Sequence, residues 1–90
     1  MERELIQDTK ETLLTIADTL YQGRVSDGIA AMNGVIPNLS LIASGIQNEG
    51  LQQRLITDAL TPILSAMEEE DGTLMADLIT YELVEILDLL

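Results

Sequence analysis

The chain has 90 residues, 47% of them hydrophobic, which fits one small domain with an apolar core. Its 16 acids outweigh its 4 bases, and the net charge of −12 disfavours nucleic acid and anionic membrane surfaces as partners, because like charges repel. The absence of Cys and His excludes disulfides, thiolate metal sites and histidine-based catalysis.

The first predicted helix covers about 3–22. Turn-forming stretches at 22–28, 47–50 and 70–73 divide the chain into four segments of helical length, and none of them alternates like a strand. The first segment has apolar residues on one helical face and polar residues on the other. Its predicted core face consists of Leu5, Thr9, Leu13, Ile16 and Leu20.

The second predicted helix covers about 26–47 and has apolar residues at alternating steps of three and four. This heptad-like spacing is typical of helices packed nearly antiparallel in a bundle. Ser26 can cap the start of the helix. Gly34 and Pro37 predict a kink or a short break. The predicted core positions are Ile29, Met32, Ile36, Leu39, Ala43 and Ile46.

The third predicted helix covers about 50–69, and Pro62 predicts a bend in it. Acids at 68–71 oppose the helix dipole at its C-terminal end, so the helix should stop there. Asp71 or Thr73 can then cap the next helix. The predicted core face consists of Ile56, Ala59, Leu60, Ile63 and Met67.

The fourth predicted helix, within 74–90, is apolar nearly all round. Such a helix is either central or covered on a second side by another chain. We expect the second side to form a protein interface. The main apolar face has Met75, Leu78, Ile79, Leu83, Ile86, Leu89 and Leu90, and the interaction candidates on this helix are Leu74, Leu78, Tyr81 and Val84.

Short connections between four helices predict an all-α fold, an antiparallel up-down four-helix bundle with kinked second and third helices. We expect a single domain over residues 1–90. So much aliphatic surface in so small a domain predicts a homodimer or another protein partner. The charged N-terminus lacks the apolar stretch of a signal peptide, and no run reaches the roughly 20 apolar residues of a membrane span. We therefore expect a cytoplasmic protein with no membrane partner.

Glu82 lies within the main apolar face of the fourth helix. An unpaired buried carboxylate is costly, so it should be paired, protonated, metal-bound or only half buried. The structural interpretation is an ion pair, with Arg24 as the best-placed cation, or a hydrogen bond to a hydroxyl. The alternatives are a metal or catalytic role and a Glu82 that faces solvent. One turn earlier, Asp77 lies where the hydroxyl or ring of Tyr81 can pack beside it.

The acids also allow an enzymatic alternative. Glu82, Glu85 and Asp88 recur every three residues, and Glu68 and Asp71 have the same spacing. Two such helices can hold magnesium between them, as all-helical nucleotide pyrophosphatases do. However, residues spaced three apart shift gradually around a helix, so these acids do not converge on one point. The sequence has no basic cluster that could bind a triphosphate, and it has no phosphate loop or activated nucleophile. We therefore predict no enzymatic activity, no cofactor, no metal and no small-molecule substrate.

The segment 66–83, AMEEEDGTLMADLITYEL, resembles the C-terminal part of a group of small helical proteins from Gram-positive bacteria. This chain departs from their pattern at Gly72, Thr73 and Thr80, and it lacks the proline that often follows YEL. The family has no established biochemical activity, and the resemblance implies an uncharacterised protein sometimes associated with motility. The matching positions are Ala66, Glu68, Asp71, Leu74, Ala76, Asp77, Leu78, Tyr81, Glu82 and Leu83.

At the level of size, charge and architecture, the chain is also similar to the flagellin-type export chaperones, which are small acidic helical bundles. This likeness implies a chaperone- or adaptor-like role. Taken with the composition, the sequence predicts a non-enzymatic protein–protein interaction module. A magnesium-dependent phosphohydrolase that uses the helix carboxylates is the alternative.

Overall fold

The computed structural model describes residues 3–90, and within that range the chain forms four helices and no strand. Helix α1 is Arg3–Tyr21 and α2 is Val25–Gly45. Helices α3 and α4 are the continuous helical stretches 49–68 and 72–88. The predicted all-α class is therefore confirmed. No helix in this part of the chain combines the length and the hydropathy that crossing a membrane requires.

Helices α3 and α4 each change from α to π winding in the middle. A π turn is closed by an i→i+5 hydrogen bond, which is rare and occurs mostly as a single turn inside an α-helix. In α3 the Thr61 hydroxyl donates to the Ile56 carbonyl at 2.9 Å, and the backbone N–H of Thr61 donates to the same carbonyl. The segments are Glu49–Gln53, π Arg54–Leu60 and Thr61–Glu68 in α3, and Gly72–Leu78, π Ile79–Leu83 and Val84–Asp88 in α4.

The turns before α2 and α4 each contain a residue with a positive φ. Gly23, at φ 83°, ends α1 with the left-handed residue that commonly terminates helices. Glu70, at φ 55°, has the equivalent position after α3. Asp71 then caps α4 as predicted, because its side chain accepts a hydrogen bond from Leu74 N at 3.1 Å. The predicted cap at Ser26 is wrong, since α2 begins one residue earlier, at Val25.

The core lies mainly between α1 and its two neighbours. Helix α1 packs extensively against α2 and α4, and α3 packs against α4, where the two π stretches contact each other. Helix α2 continues through Gly34 and Pro37 without a break and packs extensively only against α1. The seam between α2 and α3 is therefore open. The largest fully buried apolar side chains are Leu13, Met32, Leu39, Ile42, Leu55, Ile63, Met75, Ile79, Leu83, Ile86 and Leu87.

In α3 and α4 the residues that face the core differ in part from the predicted ones. Ile56, predicted to be in the core, is 45% exposed, and Leu55 is fully buried in its place. Near the end of α4, Leu87 is buried, while Leu89 is 59% exposed instead of lying in the core. The buried side of each helix is thus offset from the predicted face.

Candidate functional site

Both aromatic side chains of the protein lie on its surface. Tyr21, at the end of α1, is 49% exposed, and Tyr81, in α4, is 64% exposed. The chain contains no Phe, no Trp and no further Tyr. Aromatic residues supply large apolar area and are enriched in the contacts between proteins. Their position makes this surface the first candidate for a functional site.

A hydrogen bond links the first tyrosine to α4. The Tyr21 hydroxyl donates to a carboxylate oxygen of Asp77 at 2.6 Å. This bond raises the pKa of Tyr21 above its usual value of 10.0, because an ionised phenol would lose the bond and lie beside a carboxylate. Tyr81 lies near enough to raise the pKa of Tyr21 further. Asp77 therefore contacts Tyr21 from another helix, whereas the sequence had suggested Tyr81 as its neighbour.

The same side of α1 makes a second contact with α4. Lys10 forms an ion pair with Asp88. Lys10, Leu14 and Tyr21 follow one another at steps of four and seven residues, which keeps them on one side of a helix. Leu14, which is 44% exposed, therefore lies between the two contacts. We name as the tyrosine face the surface that consists of Leu14, Tyr21, Leu74, Asp77 and Tyr81.

The candidates predicted on α4 differ in exposure. Leu74 is 42% exposed and Tyr81 is 64% exposed, while Leu78 is half-buried. Val84 is only 8% exposed and belongs to the core, so its predicted place on a partner-covered side is corrected. Val84 directly follows the π stretch Ile79–Leu83.

Glu82 lies in this π stretch and is half-buried at the edge of the core. Its expected partner, Arg24, instead contacts Asp27 on the surface, with guanidinium–carboxylate distances of 3.0 and 3.2 Å. Asp27 lies three residues after Arg24, so the local pair forms at the start of α2. No ion pair of Glu82 occurs within residues 3–90. The predicted Glu82–Arg24 pair is therefore wrong.

We expect Glu82→Gln to change the free energy of unfolding by less than about 0.5 kcal/mol, as is usual for a residue that is not part of a buried network. Urea denaturation followed by circular dichroism measures the change, and Glu85→Gln is the exposed control on the same helix. A loss of about 3–5 kcal/mol for Glu82→Gln alone would contradict this expectation, because that is the cost of breaking a buried ion pair.

The acids that a magnesium site would need do not come together. Among residues 3–90, no group of three or more Asp, Glu, His or Cys side chains is placed so that it could hold a metal ion. Asp71 caps α4 and Asp88 pairs with Lys10. The alternative that joined the acids of 68–71 to those of α4 therefore has no convergent set of ligands here.

The charges are distributed unevenly along the chain. Arg54 is the last basic residue, and nine of the 16 acids follow it. Helix α4 and the turn before it thus have a large excess of negative charge. In contrast, residues 28–48, which include most of α2, contain no charged residue at all.

The second candidate surface is an apolar groove along the open seam between α2 and α3. It has a volume of about 410 Å³, and at one end the Gln52 side chain donates to the Ala43 carbonyl at 2.7 Å. Sequence reasoning missed this groove, although the charge-free segment 28–48 was a signal for it. We name as the α2–α3 groove the surface lined by Ile36, Ser40, Ala43, Ile56, Leu60 and Leu64.

These features define a small, acidic, all-helical protein with two exposed apolar surfaces. The chain belongs to the family described as Domain of unknown function (DUF8042), whose model matches residues 3–90. A comparison with curated proteins found no significant match, and neither did a comparison with solved structures.

Proposed function

We propose that this protein is a non-enzymatic protein–protein interaction module that binds its partner at the tyrosine face. One observation carries the proposal: Tyr21 and Tyr81, the only aromatic residues, lie exposed on neighbouring helices and not in the core. An exposed tyrosine offers a rigid apolar ring and a hydroxyl, and such residues supply much of the affinity of protein interfaces.

A cationic amphipathic helix is the partner that this chemistry favours. A Lys or Arg side chain over a tyrosine ring gains a cation–π attraction. Leu14 and Leu74 offer apolar contact beside the rings. The excess of acids in 55–90 attracts positive charge over a longer distance. A helix with an apolar stripe flanked by Lys and Arg satisfies all three conditions.

The proposal includes an antiparallel up-down bundle as the arrangement of the four helices. It is supported by the two contacts between α1 and α4, which join Lys10 to Asp88 and Tyr21 to Asp77. The two helices therefore run in opposite directions: going from Lys10 to Tyr21 along α1 corresponds to going from Asp88 to Asp77 along α4. The short turns between successive helices also favour antiparallel neighbours. In such a bundle the tyrosine face runs along the side shared by α1 and α4.

We further propose that the module acts in the cytoplasm as a chaperone or an adaptor. Its acidity and size support this role, as does the fold-level likeness to small acidic export chaperones. A link to motility is part of the proposal and depends on the resemblance of 66–83 alone. The tyrosine face would then hold an amphipathic helix of the client.

A designed peptide tests the tyrosine face directly. We expect a fluorescently labelled amphipathic helix with a Leu stripe and flanking Lys and Arg to bind the protein at low salt. Tyr81→Ala should weaken this binding by at least about tenfold, as expected for a central interface aromatic. Fluorescence anisotropy measures the affinity. Because Tyr81→Ala removes no charge, nonspecific electrostatic attraction would not respond to it.

Two controls accompany this titration. A matched peptide with Glu in place of Lys and Arg should not bind. Leu41→Ala, at an exposed leucine of α2 that is not part of the tyrosine face, should leave the affinity unchanged. The proposal fails if the cationic peptide does not bind, if it binds Tyr81→Ala as tightly as the unaltered protein, or if the acidic peptide binds equally well.

A further inference from the structure

We propose that the α2–α3 groove is the interface of a homodimer, in which α2 of a second copy lies across the groove and inserts its Leu41. This inference concerns a different surface from the tyrosine face and does not depend on the proposed function. It combines the charge-free segment of α2, the open groove beside it and the exposure of Leu41.

The groove is an unpartnered apolar surface of suitable size. Ile56 and Leu64, both on the α3 side, are 45% and 48% exposed, and the groove volume is about 410 Å³. Leu41, on the outer side of α2, is 62% exposed, the highest value for a large aliphatic side chain among residues 3–90. It lies three residues before Ser44, which lines the groove, so the two residues are neighbours on the surface of α2. A protruding apolar side chain and an apolar depression thus lie next to each other.

The distribution of charge favours a second copy as the occupant. Two molecules with a net charge of −12 repel each other over most of their surfaces. They can approach without opposing carboxylates only where charge is absent, and residues 28–48 contain none. A cationic partner would gain nothing from this segment, because the unpaired acids lie mainly in the second half of the chain. The groove therefore favours a surface as uncharged as α2 itself.

The shape of this face suits two-fold symmetry. In an isologous dimer the same patch serves on both subunits, so each must supply both the protruding group and the site that receives it. Leu41 supplies the protruding group, and the groove supplies the site that receives it. The outer side of α2 near Leu41 has small residues, including Gly34, whose Cβ position has no atom within 4 Å. Two α2 helices can therefore approach each other closely.

A second cavity of similar volume lacks these properties. It lies between the start of α1 and the end of α4, has a volume of about 430 Å³, and is lined in part by Arg3, Glu4, Lys10 and Asp88. A second copy placed there would bring like charges together. The charge-free groove is thus the better self-association site.

Sedimentation velocity tests the dimer. We expect a dimer for the unaltered protein and a monomer for Leu41→Asp and for Ile56→Asp, since each puts a charge into the apolar contact. Leu14→Asp, at a similarly exposed leucine on the tyrosine face, is the matched control and should stay dimeric. Circular dichroism checks that each variant is folded. Raising the salt concentration should strengthen the dimer, because it screens the repulsion between the two copies.

The outcomes separate this inference from the proposed function. A monomeric protein at high salt, a dimeric Leu41→Asp variant, or a dimer lost only in Leu14→Asp would overturn the inference. The Leu41→Asp variant should still bind the peptide at the tyrosine face, and the Leu14→Asp variant should bind it more weakly. Added salt should weaken peptide binding and strengthen the dimer. Each proposal can therefore fail while the other holds. Saturable binding of an uncharged small molecule in the groove of a monomeric protein would also contradict the dimer.

Discussion

Leu83→Ala should lower the free energy of unfolding by about 2–5 kcal/mol, the range for deleting a buried leucine side chain. Leu83 is fully buried in the π stretch Ile79–Leu83, which packs against the π stretch Arg54–Leu60. Fully buried neighbours surround the contact, so we expect a cavity to remain. Small domains are stable by only about 5–15 kcal/mol in total. The variant should therefore unfold at much lower urea concentration.

Leu74→Ala is the matched control for this experiment. It makes the same change in the same helix, but Leu74 is 42% exposed, so the expected loss is about 1 kcal/mol or less. Urea unfolding should be followed by circular dichroism at one fixed protein concentration, because self-association would shift apparent stability. Equal losses in the two variants would show that a leucine at the contact between the π stretches contributes no more to the free energy of unfolding than an exposed leucine.

Gly28→Ala should destabilise the protein by about 1–3 kcal/mol, although Ala is normally the better helix former. A Cβ at Gly28 would lie 2.3 Å from Cδ2 and 2.6 Å from Cγ of Leu20. Leu20 is only 3% exposed and has little room to move. The glycine thus permits the close approach of the end of α1 to the start of α2.

Gly34→Ala provides the control, with the opposite expected sign. Gly34 lies in the same helix and its Cβ position has no atom within 4 Å. Here the better helix propensity of Ala should raise the free energy of unfolding by about 0.5–1 kcal/mol. Thermal and urea unfolding of both variants measure the difference. A stabilising Gly28→Ala would mean that Leu20 repacks easily, and that the close contact does not constrain this corner.

The number and approximate bounds of the helices could be predicted from local patterns. For α1 the predicted segment 3–22 became Arg3–Tyr21, and the predicted face with Thr9, Leu13 and Ile16 is buried. Turn residues and regular spacing act over a few positions, so they can be recognised without knowledge of the tertiary structure.

The π stretches could not be predicted in this way. Periodicity analysis assumes a constant 100° per residue, and a π turn breaks that assumption without a distinctive composition. Ile56, wrongly placed in the core, lies within one π stretch, and Val84, wrongly placed at an interface, directly follows the other. Glu82, predicted within the apolar face, lies in the same π stretch and is half-buried at the edge of the core.

The candidate site was only partly accessible from the sequence. Leu74, Asp77 and Tyr81 stood out because they share a strongly apolar helix. Tyr21 did not, because its contact with Asp77 joins residues 56 positions apart. The α2–α3 groove depends on which helices pack closely and which do not, and that relation cannot be derived from the periodicity of either helix alone.

The position of the two tyrosines has a practical consequence for spectroscopy. Tyr21 and Tyr81 are the only aromatic side chains, so near-ultraviolet absorbance and intrinsic emission originate from the exposed α1–α4 side of the molecule. The aliphatic core contributes no such signal. A ligand that covers this side can therefore be detected without a label, whereas the backbone signal in the far ultraviolet reports on the helices. The two spectral regions thus separate recognition from folding in one unmodified sample.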